Sequence, residues 1–194
     1  MPLNFMFFFN SILLGVGLAM DAFSVSLANG LSEPCMKRQK MCGVAGIFAF
    51  FQALMPMIGW VCVHTIAHYF AAFEKLIPWI ALVLLCYIGG KMLYDGIKHK
   101  DKPCDGKKVT LSALLVQGVA TSIDALSVGF TIADYEWYAA VLAAVLIAAV
   151  TFIICFAGVF IGKHAGTKLA GKSGILGGVI LIAIGIEIFL TGIL

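Results

Sequence analysis

The chain has 194 residues, of which 62% are hydrophobic and 12% charged, with a formal net charge of +3 and a mean hydropathy of +1.05. That is too much apolar surface for a soluble domain of this length, so the composition predicts an integral membrane protein. The small positive charge asks for no nucleic-acid partner, because basic residues placed in cytoplasmic loops account for it.

A bilayer-spanning helix takes roughly 20 mostly apolar residues. Six such runs are present, at 5–30, 42–64, 76–94, 111–133, 138–162 and 174–193. The expected fold is an all-α polytopic membrane protein of six transmembrane helices, forming one membrane domain over residues 1–194. In the first run, Ser26-Leu27-Ala28 loosely imitates a signal-peptide cleavage site. The opening Met-Pro-Leu-Asn, however, has no basic residue, and the run is long and contains Asp21, so it is read as helix 1.

The basic residues alternate between connections. Lys37, Arg38 and Lys40 follow helix 1; Lys98, Lys100, Lys102, Lys107 and Lys108 follow helix 3; Lys163, Lys168 and Lys172 follow helix 5. These are eleven of the 13 Lys and Arg, while the opposite connections hold only Lys75 beside Glu74, Asp134 and Glu136. By the positive-inside rule, loops 1, 3 and 5 face the cytoplasm and both termini lie outside. The six cysteines, Cys35, Cys42, Cys62, Cys86, Cys104 and Cys155, show no CxxC or zinc-ligand spacing. Those near cytoplasmic loops are expected to stay reduced.

Two stretches repeat one half-chain apart: Ala19-Met20-Asp21-Ala22-Phe23-Ser24-Val25 and Ser122-Ile123-Asp124-Ala125-Leu126-Ser127-Val128. Each buries one aspartate in an apolar run, with a serine three residues later. A carboxylate in hydrocarbon costs at least ~2.5 kcal/mol on the most lenient scale, so two at matching positions point to function. The match extends to Ile88-Gly89 and Gly96-Ile97 in helix 3 against Ile184-Gly185 and Gly192-Ile193 in helix 6. Because each half has three helices, the expected plan is two inverted three-helix repeats, 1–97 and 111–194, joined by a cytoplasmic linker, 98–110. In such transporters the substrate binds near the midplane at the repeat interface.

Helical spacing puts Gly17, Ser24 and Ala28 on the stripe of Asp21, and Gln117, Thr121, Ser127 and Thr131 on that of Asp124. Carboxylate, hydroxyl and amide oxygens suit a hard or borderline divalent cation such as Mn2+ or Mg2+. Helix 2 adds Gln52, one turn before Pro56, which frees backbone carbonyls as further oxygen donors. The expected metal site is therefore Asp21, Asp124, Gln52, Ser24 and Ser127. Asn29, Thr121, Thr151, Lys91 and Glu187 are secondary or relay positions. Against this, a membrane hydroxyl also bonds to its own helix backbone, Lys91 can snorkel to the interface, and His64 and His68 read as a wet interfacial pair.

The segments Gly15-Val-Gly-Leu-Ala-Met-Asp21-Ala-Phe-Ser-Val-Ser, Phe51-Gln52-Ala-Leu-Met-Pro56-Met-Ile-Gly59-Trp60, Gly89-Gly90-Lys91-Met and Ala120-Thr121-Ser122-Ile-Asp124-Ala125 resemble the MntP family of manganese efflux pumps. The resemblance spans all six helices. It implies a bacterial plasma-membrane (inner-membrane) exporter with Mn2+ as transported substrate, no cofactor, and Asp21 and Asp124 as the functional carboxylates. Some family members carry Glu where this chain has Gln52, which leaves one negative charge fewer here and puts a third carboxylate ligand in doubt.

The expected mechanism is secondary transport rather than enzyme catalysis. Two carboxylates in one cavity titrate as a coupled pair, and a cation that takes them as ligands displaces their protons, so metal and protons are the expected exchange partners. Two other readings share the aspartate pair. An intramembrane aspartyl protease would place one aspartate on each of two helices, but neither aspartate here follows a tyrosine or lies in a Gly-x-Gly-Asp setting. An exporter of small organic cations such as basic amino acids would use the carboxylates to grip an ammonium group. No ATP-binding motif is present to support a primary pump. Oligomeric state is not legible in the chain.

Overall fold

The computed structural model describes residues 5–74, 77–98, 109–132, 135–168 and 173–193. Among these it is all helical, with seven helices in chain order: α1 (Phe5–Ser32), α2 (Arg38–Glu74), α3 (Ile77–Lys98), α4 (Leu111–Thr121), α5 (Ile123–Thr131), α6 (Trp137–Lys168) and α7 (Ser173–Ile193). Helices are the expected answer, since a backbone in hydrocarbon must satisfy its hydrogen bonds within the segment. Among the described residues, Phe5–Ser32, Arg38–Val63 and Trp137–Gly166 are each long and apolar enough to cross a membrane, and the bent pair α4 and α5 makes a fourth if counted as one span. The helices α3 and α7 have 22 and 21 residues.

Two elements differ from the sequence expectation. The fourth apolar run is not one helix over 111–133: it breaks at Ser122 and bends by 43° between α4 and α5. The second run, expected over 42–64, extends at both ends to 37 residues, so Arg38 and Lys40 begin a helix rather than occupy a loop. Pro56 lies inside it and donates no bond to the preceding turn. Cys35 also departs from the reduced state expected of it, being disulfide-bonded, whereas Cys42, Cys62, Cys86 and Cys155 are free.

Where α1 meets α6 the core is made largely of small side chains. Ala19, Ala22, Val25 and Ala28 of α1 are fully buried, as are Ala140 and Val159 of α6, and α1 lies along α6 for most of its length. Backbones close together where neither helix carries a side chain. A Cβ at Gly129 would lie 2.5 Å from the Pro56 carbonyl oxygen and 2.6 Å from Gly59 Cα, which locks α5 against α2. Gly30 of α1 and Gly162 of α6 meet each other's helix in the same way. Without water to drive helices together, such close approach supplies the dispersion contact that holds a membrane bundle. The outward faces carry Phe5, Phe9, Phe50, Val145, Ile153 and Leu190, all exposed. A soluble protein rarely shows so much apolar surface; here it is the face that meets lipid.

One end of the bundle is tied by polar contacts. The Glu33 carboxylate pairs with Lys40 and accepts the Val109 N–H at 2.9 Å, and Lys163 Nζ donates to the Met36 carbonyl at 2.8 Å. Thr110 caps α4 by accepting the Ala113 N–H. Several expectations fall outside the described residues: Lys75, Lys100, Lys102, Lys107, Lys108 and Lys172, Cys104 and Asp134, together with the side chains of His64, His68, Lys98, Thr131, Lys168 and Glu187.

Candidate metal site

Asp21 projects from the middle of α1, whose 28 residues run without interruption. Asp124 occupies a different local structure, the first turn of the nine-residue helix α5. The break that creates this turn has a local cause. Thr121 Oγ1 donates to its own helix at the Gln117 carbonyl, 2.9 Å away, and the next residue, Ser122, leaves helical geometry with φ −113° and ψ 9° while its N–H reaches back three residues to the Val119 carbonyl. Hydroxyls that back-bond in this way bend helices. Asp124 thereby lies at the positive end of a short helix dipole, and its Oδ1 accepts the Ala125 N–H at 2.9 Å.

The two carboxylates, 103 positions apart in sequence, approach closely enough for their charges to repel. Asp21 is half-buried, and Asp124 is exposed into a cleft of about 500 Å³. The walls of the cleft are Asn10, Leu13, Leu14, Gly17 and Leu18 of α1, with Ile132 and Tyr135 beyond α5. Tyr135 is held in place from two sides, by packing on Phe7 with ring centroids 5.6 Å apart and through its carbonyl, which accepts the Trp60 indole N–H at 3.0 Å.

Gln52 of α2 is fully buried and reaches the cleft residue Leu18. Its Nε2 donates to the Leu18 carbonyl at 2.7 Å, while Oε1 has no hydrogen-bond partner among the described residues. The Ser122 and Thr151 hydroxyl oxygens are likewise buried and unpartnered. Leaving a buried acceptor unsatisfied costs roughly 1–3 kcal/mol. Among the described residues no three His, Cys, Asp or Glu side chains gather.

The chain matches, over residues 35–189, the model of a family described as "Putative manganese efflux pump". It belongs to that family. A Clostridium botulinum protein of the same description, designated MntP 2, is 44% identical over 189 residues, covering 92% of each chain. Relatives in Clostridium perfringens and Ruminiclostridium cellulolyticum are 41% and 38% identical, covering 94% and 92% of this chain and 95% and 93% of their own. No solved structure matches.

The remaining sequence candidates of this family member fall in distinct places. The Ser24 hydroxyl donates to the Met20 carbonyl at 3.1 Å, the ordinary backbone reading, and Ser127 is exposed on α5. Asn29 is not an isolated relay: its Nδ2 donates to Gln117 Oε1 at 2.8 Å, with both side chains buried. Thr121 is committed to its own helix, Thr151 is buried in α6, and Lys91 is exposed on α3. The sequence reading missed Ser122 and the cleft residues Asn10 and Tyr135. The adjacent pair Thr121-Ser122 in an otherwise apolar run was the available signal for the break. Nothing local marks Tyr135, which lines the cleft through tertiary packing alone.

Proposed function

We propose that the chain is a secondary transporter that exports Mn2+ from the cytoplasm in exchange for protons, through a site built on Asp21 and Asp124 with Gln52 as a neutral oxygen donor. The observation that carries this reading is that Asp124 lines a cleft walled by the helix of Asp21, within electrostatic range of that second carboxylate, with the buried Gln52 amide bonded to the cleft residue Leu18. Two carboxylates neutralise a divalent cation, and oxygen donors match a hard or borderline metal. Family membership supplies the metal and the direction.

In this reading α1, α2 and α3 form one repeat, and α4 with α5, α6 and α7 form an inverted second, giving six spans. The packing of α1 on α6, of α2 on α5, and of α3 on α7 supports it, because a two-fold axis in the membrane plane exchanges the first two pairs and preserves the third. Lys37, Arg38, Lys40 and Lys163 gather at one end of the bundle, which supports placing that end in the cytoplasm of a multi-pass plasma-membrane protein and both termini outside.

Protons and metal compete for the same oxygens, so binding of Mn2+ releases protons and weakens as pH falls. With two protons returned per ion no net charge would move, and the membrane potential, worth about 2.3 kcal/mol per charge per 100 mV, would drop out. The test is transport by the purified chain in proteoliposomes. A pH gradient, acidic on the side opposite the metal, should accelerate Mn2+ movement, and lysine or arginine should not compete. Transport that follows only the electrical potential, without proton flux, would refute the exchange.

A further inference from the structure

The cleft that reaches Asp124 is one-sided. Its walls run from Leu18 back to Asn10 on α1, and past α5 to Ile132 and Tyr135. In the opposite direction the same two elements close on each other. On α1, Asn29 is eight residues beyond Asp21, and on α4, Gln117 is seven residues before Asp124, so each amide lies about 10–12 Å along its helix from its aspartate. The two amides meet at 2.8 Å, and both are 1% exposed. Between them and the aspartates lie Val25, Ala28 and Ala120, also buried. Beyond them the chain is tied again by Glu33 to Val109.

We propose that this structure is the transporter open to one side only, and that the Asn29–Gln117 amide pair is the seal on the other. The proposal rests on the reading that ions pass between α1 and the α4–α5 pair. An amide pair suits a seal that must open. It is neutral, so it neither traps a divalent cation nor adds its own charge to the site. When the pair separates, each amide can bond to incoming water, so opening costs little.

The position of the helix break completes the device. Ser122 lies between Gln117 and Asp124. Rotation of α4 about Ser122 would therefore draw Gln117 away from Asn29 while Asp124 stays with α5, where Gly129 is locked onto α2 at Gly59. Terminal residues of two helices that absorb a backbone change are the usual form of such hinges. Asn29 and Gln117 act as positioning residues: they set which side reaches the metal without touching it.

Site-resolved labelling of the full chain in detergent with a water-soluble maleimide, read by mass spectrometry, tests this. In the parent gate, Leu14→Cys in the cleft should react quickly and Val25→Cys, buried between Asp21 and Asn29, slowly. Adding Gln117→Leu should speed labelling of Val25→Cys about tenfold, since it leaves Asn29 unpaired, with Leu14→Cys unchanged and Mn2+ binding retained. If the leucine variant unfolds, the single Gln117→Asn, one methylene short, carries the same expectation. The exchange of Asn29→Gln with Gln117→Asn keeps an amide pair of equal total length and should restore slow labelling. Fast labelling of Val25→Cys in the parent, no acceleration by either gate variant, or fast labelling in the exchanged pair would overturn the seal. Mn2+ binding unchanged by Asp21→Asn, with the labelling pattern as expected, would count against the aspartate site and still support the seal.

Discussion

The two halves of this protein hold the same motif in different local structures. Asp21 lies in mid-helix, whereas Asp124 starts a new helix after a 43° bend. Aligning the aspartates sets Leu18-Ala19 opposite Thr121-Ser122, and Leu14 opposite Gln117. Leucine and alanine have no group that competes with the backbone, so α1 continues. Thr121 does compete, donating its hydroxyl to the Gln117 carbonyl, and the second half breaks at the next residue, two positions before its carboxylate. A near-repeat in sequence therefore encodes one rigid rail and one jointed one. In the proposed exchange mechanism the jointed element moves against the fixed one.

The largest expected effect comes from removing either charge. Asp21→Asn and Asp124→Asn should each abolish export, leaving cells as manganese-sensitive as a strain without the gene while the protein persists in the membrane. One carboxylate half-compensates a divalent cation, and neither half can stand in for the other. Near-normal tolerance in both variants would remove the metal site and the comparison built on it.

A more selective test erases the joint. Copying the first half into the second with Thr121→Leu and Ser122→Ala should straighten α4 and α5 and slow Mn2+ transport in vesicles by about tenfold, the factor expected if one coordinating or hinge contact worth about 1.4 kcal/mol is lost. Transport at the parental rate would show that the bend is incidental.

Gln52, on a third helix, sharpens the comparison through its place in the proposed site. Gln52→Leu removes the bond to the Leu18 carbonyl and the buried unpartnered oxygen, and should weaken Mn2+ binding by about threefold to tenfold. Gln52→Glu adds a third carboxylate and should steepen the pH dependence of binding, because one more proton competes with the metal. Isothermal titration at two pH values would read both; equal slopes for Gln and Glu would exclude Gln52 from the site.

The smallest effect belongs to the tied end of the bundle. Glu33→Gln loses the ion pair with Lys40 but keeps an acceptor for the Val109 N–H, and should lower stability by about 1 kcal/mol, a shift of roughly 2–4 °C in melting temperature. A larger loss would mean that this end also contributes to the closed state.

Membrane character, helical class and the aspartate pair were legible in the chain, because hydropathy and the cost of a charge in hydrocarbon act through composition and local order alone. The family was legible too, from short segments spread over the helices. The break at Ser122 was harder to foresee: a hydroxyl either bonds its own backbone or reaches a neighbour, and the choice depends on what packs beside it. Only tertiary structure decided that Asn29 pairs with Gln117, that Gln52 leans on the Leu18 carbonyl, and that Tyr135 closes one wall of the cleft. These contacts join residues tens of positions apart through close glycine and alanine packing, and side-chain periodicity along one helix carries no information about which face of another it will meet.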